Sequence, residues 1–253
     1  MEQDGITSTD TPDSESQKFL VYAAEHEYVG IARFLLGDGV DINAGYGDYG
    51  NALQVASHKG CVHFINFMLE KGANVNAQGG QHGNALEAAI WGGHEHIVEL
   101  LLDNGAVIDK PYGSILPAAS SSGHVGIVKI LIHKGADVNK HCGLHGNALY
   151  AASAGGHEQI VRLLLDKGAK VDAPYGNALQ AAASTGRESI VKVLLDKGAD
   201  VNADCGMFGG ALYSASSGGH KVIVKLLLEK GADVNGPGGM HGSALQVASL
   251  QGF

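Results

Sequence analysis

The chain has 253 residues, a net charge of −9, 45% apolar residues and only 6% aromatic ones. Without an excess of Lys or Arg to neutralise phosphates, direct nucleic-acid binding and attachment to an anionic membrane surface are disfavoured. No apolar run is long enough to span a bilayer, and the opening MEQDGITSTDTPDSES lacks the apolar stretch of a secretory signal.

In chain order, residues 1–16 read as a disordered acidic leader. A degenerate helical unit follows at 17–49, in which Leu20, Ala23 and Ile31 to Leu36 keep the apolar phase and Glu25, His26 and Glu27 suit a polar end cap. A segment of the type Gly-Asn-Ala-Leu then recurs. Gly50 opens GNALQVAS, Gly83 GNALEAAI, Gly113 GSILPAAS, Gly146 GNALYAAS, Gly176 GNALQAAA, Gly209 GGALYSAS and Gly242 GSALQVAS, at steps of 33, 30, 33, 30, 33 and 33 residues. Self-similarity at this period means stacked small units, each burying its apolar face on its neighbours. The units are 17–49, 50–82, 83–112, 113–145, 146–175, 176–208 and 209–241, with a partial one at 242–253. That last piece supplies one helix and no second, so the chain is expected to be part of a longer array.

Residues 146–175 show the local logic. Asn147 is a good N-cap for a first helix over 148–154, whose packing face holds Leu149 and Ala152. Gly155-Gly156 interrupts it. A second helix over 157–167 carries Ile160, Val161 and Leu163 to Leu165 at helical period, and Gly168 supplies a left-handed stop. A turn-rich finger leads to the next unit. The 30-residue units end in the short fingers Lys110-Pro111-Tyr112 and Ala173-Pro174-Tyr175.

The combination of leucine, Ala-Ala/Ser, Gly-His, Ile-Val-x-Leu-Leu-Leu and Gly-Ala-Asp-Val-Asn, repeated in phase, resembles the ankyrin repeat over residues 17–253. The usual Thr-Pro-Leu-His opening is replaced by Asn-Ala-Leu-Gln or variants, with Gln54, Glu87, Pro117, Tyr150, Gln180, Tyr213 and Gln246 where His is usual. This style is similar to ankyrin arrays of filamentous fungi. The resemblance implies an all-α ankyrin-repeat solenoid of helix-turn-helix units with hairpin-like fingers. It also implies that finger tips and first-helix ends line a concave groove.

Signs of other chemistry have simpler readings. Gly45-Tyr-Gly-Asp-Tyr-Gly50 satisfies GxGxxG but lies in a finger with no strand before it. His94, His124, His157 and His220 occupy the Gly-His slot, while His82, His145 and His241 share a slot with Tyr49, Tyr112, Tyr175 and Phe208, as flat packing residues would. Ser57, Ser120, Ser153 and Ser216 recur at one core-facing phase. Arg162, Lys192 and Lys225 stand four residues before Asp166, Asp196 and Glu229, as solvent-face pairs. Cys142 and Cys205 share a phase two units apart, too far for a disulfide if layers are spaced by roughly 8–10 Å. A reducing, intracellular setting follows. No catalytic motif, metal cluster or cofactor loop is present, so no enzyme, metal or cofactor is expected.

Function is therefore sought in residues that break the pattern. Trp91, the sole Trp, stands at the end of a first helix where most units hold small residues. Trp91, Tyr150 and Tyr213 are candidate anchors for a protein partner, with His58 at the same helix end and Tyr46, Asp48, Gln81, Leu144, Met207 and Met240 in the fingers. The expected function is a monomeric, non-enzymatic protein-interaction scaffold. The alternative is a regulatory ankyrin protein, either a transcription coregulator or the sensor array of a larger receptor-like protein.

Overall fold

A computed structural model describes residues 12–110, 113–141, 146–172, 177–203, 209–236, 238 and 242–250. It contains two compact units, residues 1–107 and 108–253.

In the first unit the helices are α1 (Pro12–Glu25), α2 (Val29–Gly37), α3 (Ala52–Lys59), α4 (Val62–Glu70), α5 (Ala85–Gly92) and α6 (Glu95–Asp103). First helices α1, α3 and α5 pack in a row, and each carries its second helix, α2, α4 or α6. The second unit opens with a hairpin of β1 (Asp109–Lys110) and β2 (Gly113–Ser114), paired Asp109 to Ser114, which closes the first short finger. Helices α7 (Ile115–Ser122), α8 (Val125–His133), α9 (Ala148–Gly155), α10 (Glu158–Asp166), α11 (Ala178–Ser184), α12 (Glu188–Asp196), α13 (Ala211–Ser217), α14 (Lys221–Glu229) and α15 (Ala244–Leu250) follow. Here too, alternate helices α7, α9, α11, α13 and α15 pack in sequence, with α8, α10, α12 and α14 on their far side. The fold is an all-α ankyrin-type solenoid architecture, as the repeat pattern predicts.

Local chemistry explains the elements. Asn51, Asn84, Asn147 and Asn177 sit in extended backbone before a first helix, and each side-chain oxygen accepts the amide three residues on. At Asn51 the cap is reciprocal, because Gln54 Oε1 accepts the Asn51 amide at 2.7 Å. The second helices end at glycines with φ of 85° to 94°, from Gly39 to Gly231. The residue after the glycine donates back five positions, as from Ala73 to the Met68 carbonyl at 3.0 Å and from Ala169 to Leu164 at 2.9 Å. The core is aliphatic and small, with Leu53, Leu86, Leu116, Leu149 and Leu179 all buried.

Two expectations change. Residues 12–16, assigned by sequence to the leader, open α1; a proline at its start loses no helical donor. Glu25, His26 and Glu27 are all exposed, and each also makes a defined contact. Glu25 reaches Lys59 of the next repeat at 2.9 Å, Glu27 accepts the His63 amide at 3.0 Å, and His26 stacks on Tyr28 and lies tilted against Tyr22. Of the expected solvent pairs, Lys225–Glu229 forms at 3.9 Å, but Arg162 turns back to Glu158 at 2.8 Å and Asp166 faces Lys197 at 3.4 Å.

Candidate functional site

Backbone packing in the first unit gathers most of the described candidates. The finger Gly45–Gly50 is closed by a bridge between Gly45 and Asn51 and a short turn over Gly47–Tyr49. This is the GxGxxG segment, and its last glycine simply opens the next helix. The following finger lies directly on it: the Gln81 amide donates to the Asp48 carbonyl at 2.9 Å. A Cβ on Gly80 would come within 2.6 Å of the Gly50 nitrogen, so only glycine permits this approach. Tyr46, Asp48 and Gln81 thus share one rim.

The helix ends adjoin this rim. His58 stacks on His82 with ring centroids 4.5 Å apart and planes at 22°, which is how the finger meets the end of α3. Burial and the neighbouring His58 hold the His82 imidazole below its ordinary pKa. Trp91 stands in the last turn of α5, and the adjacent Gly92, which ends the helix, lies against the His58 carbonyl oxygen. Trp91 is 51% exposed. About half of its surface is open to solvent. Lys59 links this edge to α1 through Glu25, whose carboxyl is held low by the bond from Lys59; the same bond, reinforced by the nearby Tyr49 phenol, raises the Lys59 ammonium.

Tyr49 is the residue that sequence reasoning missed. Its slot looked like a packing position, yet it is 68% exposed. The slot is filled by stacking at His82 but left open at Tyr49, and nothing in the residue type distinguishes the two. His145, His241, Tyr112, Tyr175 and Phe208 lie outside the described residues.

Other candidates do not join the rim. Leu144, Met207 and Met240 lie outside the described residues. Tyr150 is half-buried and Tyr213 is only 8% exposed, which removes Tyr213 as a surface anchor. The physical reason is visible at the same repeat phase: Gln54 Nε2 bonds the Ala77 carbonyl of its own finger and the Gly83 carbonyl that opens the next repeat, and Gln180 Nε2 bonds Ser214 Oγ of the next repeat. That phase is a strut between repeats, not a groove.

Three of the described histidines tie neighbouring repeats together. His94, His157 and His220 each precede a second helix and use Nε2 to bond a first-helix carbonyl 36 residues earlier. Among the described residues, no three His, Cys, Asp or Glu are grouped to hold a metal, and no helix is long and apolar enough to cross a membrane. Cys61 is buried ahead of α4, and burial raises its thiol, so it is a poor nucleophile.

Residues 20–112 and 114–205 each match the pattern of ankyrin repeats (3 copies), and residues 211–238 match a further ankyrin repeat. The chain belongs to the ankyrin repeat family. The ankyrin array is similar to the crystal structure of the human ASB11 ankyrin repeat domain, with 26% identity, a TM-score of 0.73, and coverage of 82% of this chain and 96% of that one. No curated protein shows significant similarity to it. Ankyrin repeats and an ankyrin-domain neighbour support a protein-interaction scaffold.

Proposed function

We propose that the chain is a non-enzymatic, intracellular binding protein that holds a segment of another protein on the rim of its first unit. Trp91 anchors that segment, and Tyr46, Asp48, Tyr49, Gln81 and His58 frame it. One observation carries this reading: the sole Trp is half exposed at a repeat position where most units hold small residues, in the unit that also carries the histidine stack and the exposed Tyr49. An exposed Trp on a rigid element brings large contact area with little conformational entropy to lose. The net charge of −9 favours a protein partner over nucleic acid.

A photoreactive amino acid placed at position 91 tests this. It should capture a protein in cells that the same probe at Lys225 does not capture. The purified partner should then lose about 30-fold or more in affinity for Trp91→Ala, the scale of an interface hot spot. Equal capture at both positions, or unchanged affinity with an intact fold, refutes the reading.

A further inference from the structure

The leading face of the first repeat is unlike its counterparts. The positions equivalent to Phe19 are Ala52, Ala85, Ile115, Ala148, Ala178, Ala211 and Ala244, all buried. Those equivalent to Ile31 are Phe64, Ile97, Ile127, Ile160, Ile190 and Ile223, at 0–1% exposure. Ile31 itself is 44% exposed, and Phe19, Tyr22, Tyr28 and Phe34 are exposed with it, Phe34 at 72%. At Phe19 a large side chain therefore stands where a preceding repeat would press mainly on alanine, and Tyr22 likewise replaces the smaller Val55, Ala88, Ala151 and Ala181. Their bulk opposes the close approach that another repeat of this design requires.

The α1 stripe is self-complementary. Glu15, Phe19, Tyr22 and His26 are spaced i, i+4, i+7 and i+11, which places them on one helical face. All four are exposed, and His26 extends the helix through its amide bond to the Tyr22 carbonyl. Turned end for end about a point between Phe19 and Tyr22, the stripe sets Phe19 against Tyr22 and the Glu15 carboxylate against His26 of the other copy. Aromatic pairs, and an imidazole N–H donated to a carboxylate, are favourable cross-partner contacts.

We infer that two copies of this chain pair through the α1–α2 face about a two-fold axis, with the α1 helices antiparallel and Ile31 and Phe34 on the flank. Such an isologous contact closes on itself and does not propagate. Five roughly half-exposed side chains of about 200 Å² each supply some 500 Å² per copy, or about 1,000 Å² for the pair, at the lower bound for a specific interface. The dimer is therefore concentration-dependent, and it replaces the sequence expectation of a monomer.

Sedimentation velocity of the 253-residue chain, up to about 100 μM, is the test for a contact of this size. The mass should double with concentration. Phe19→Lys and Phe34→Lys change exposed positions and should abolish doubling with an unchanged circular dichroism spectrum. Glu15→Lys and His26→Glu should each weaken pairing, and together restore it. A mass of one chain throughout, open-ended assembly, failure of the double variant to recover, or association lost in Leu245→Lys but kept in Phe19→Lys would each overturn the inference.

Discussion

His94 Nε2 lies 2.9 Å from the carbonyl oxygen of His58, one repeat earlier. Because a carbonyl only accepts, the imidazole must carry its proton on Nε2. The bond satisfies a carbonyl that α3 leaves unpaired at its C-terminus. His157 to Ser121 and His220 to Ser184 repeat it at 2.9 and 3.1 Å. Glycine makes room for the ring: a Cβ on Gly60 would meet His94 Cε1 at 2.8 Å.

This separates two kinds of glycine. Gly60 and Gly72 have similar φ, 87° and 85°, but nothing lies within 4 Å of a Cβ built at Gly72. Gly72→Ala should lose about 1–2 kcal/mol from left-handed strain alone. Gly60→Ala adds displacement of the His94 ring and should lose about 2–4 kcal/mol in total. Urea denaturation of both variants checks the order, and equal losses would show that the ring yields freely.

Buried serines give a prediction of the opposite sign. Ser57 Oγ bonds the Leu53 carbonyl at 2.7 Å, but Ser120 and Ser153 Oγ are buried with no partner. Removing an unsatisfied hydroxyl removes its desolvation cost. Ser153→Ala should stabilise by about 1 kcal/mol, and Ser57→Ala should not. The natural Ala183 at this phase shows that the packing accepts alanine. Parallel thermal melts of the two variants decide the matter.

The parts legible in the sequence are those with local causes. Asn51 as N-cap and Gly168 as a left-handed stop follow from helix-end chemistry, and the repeat period gives the stacking. Relations between repeats were not legible in the same way. Nothing local to His94 points to a carbonyl 36 residues back. The phase shared by Tyr150 and Tyr213 identifies a helix face but not its cover; the struts from Gln54 and Gln180 reveal that cover. Trp91 was legible because one bulky residue at a small-residue position is a visible exception.

A ladder of asparagines joins the fingers, and its exception is testable. Asn76, Asn139 and Asn202 each donate to a stop-glycine carbonyl 29 residues on and accept an amide 31 residues on. Asp172, in the second short finger, accepts the Asp200 amide at 3.2 Å through each oxygen but has no proton to donate. Asp172→Asn supplies the missing donor while keeping an acceptor. It should raise stability by about 0.5–1.5 kcal/mol, the net worth of one added hydrogen bond. An unchanged or lower urea midpoint would show that the short finger holds this side chain away from the glycine carbonyl.

The His58–His82 stack makes the rim sensitive to mild acid. Burial and His58 lower the folded-state pKa of His82 below its ordinary 6.5. Between those two values the unfolded chain binds more protons than the folded one, so stability rises with pH across that window. As pH falls through 6.5, protonation therefore favours release of the His82 finger from the end of α3. His82→Tyr, the residue natural to this slot at Tyr49, lacks that titration and should flatten the dependence. Stability of both proteins measured from pH 7.5 to pH 5 checks this, with the Trp91 fluorescence as a local reporter. The parent protein should lose more stability over that range than His82→Tyr, and the Trp91 signal should shift in the parent alone. Identical pH profiles would show that the stack opens without cost, leaving the rim indifferent to pH.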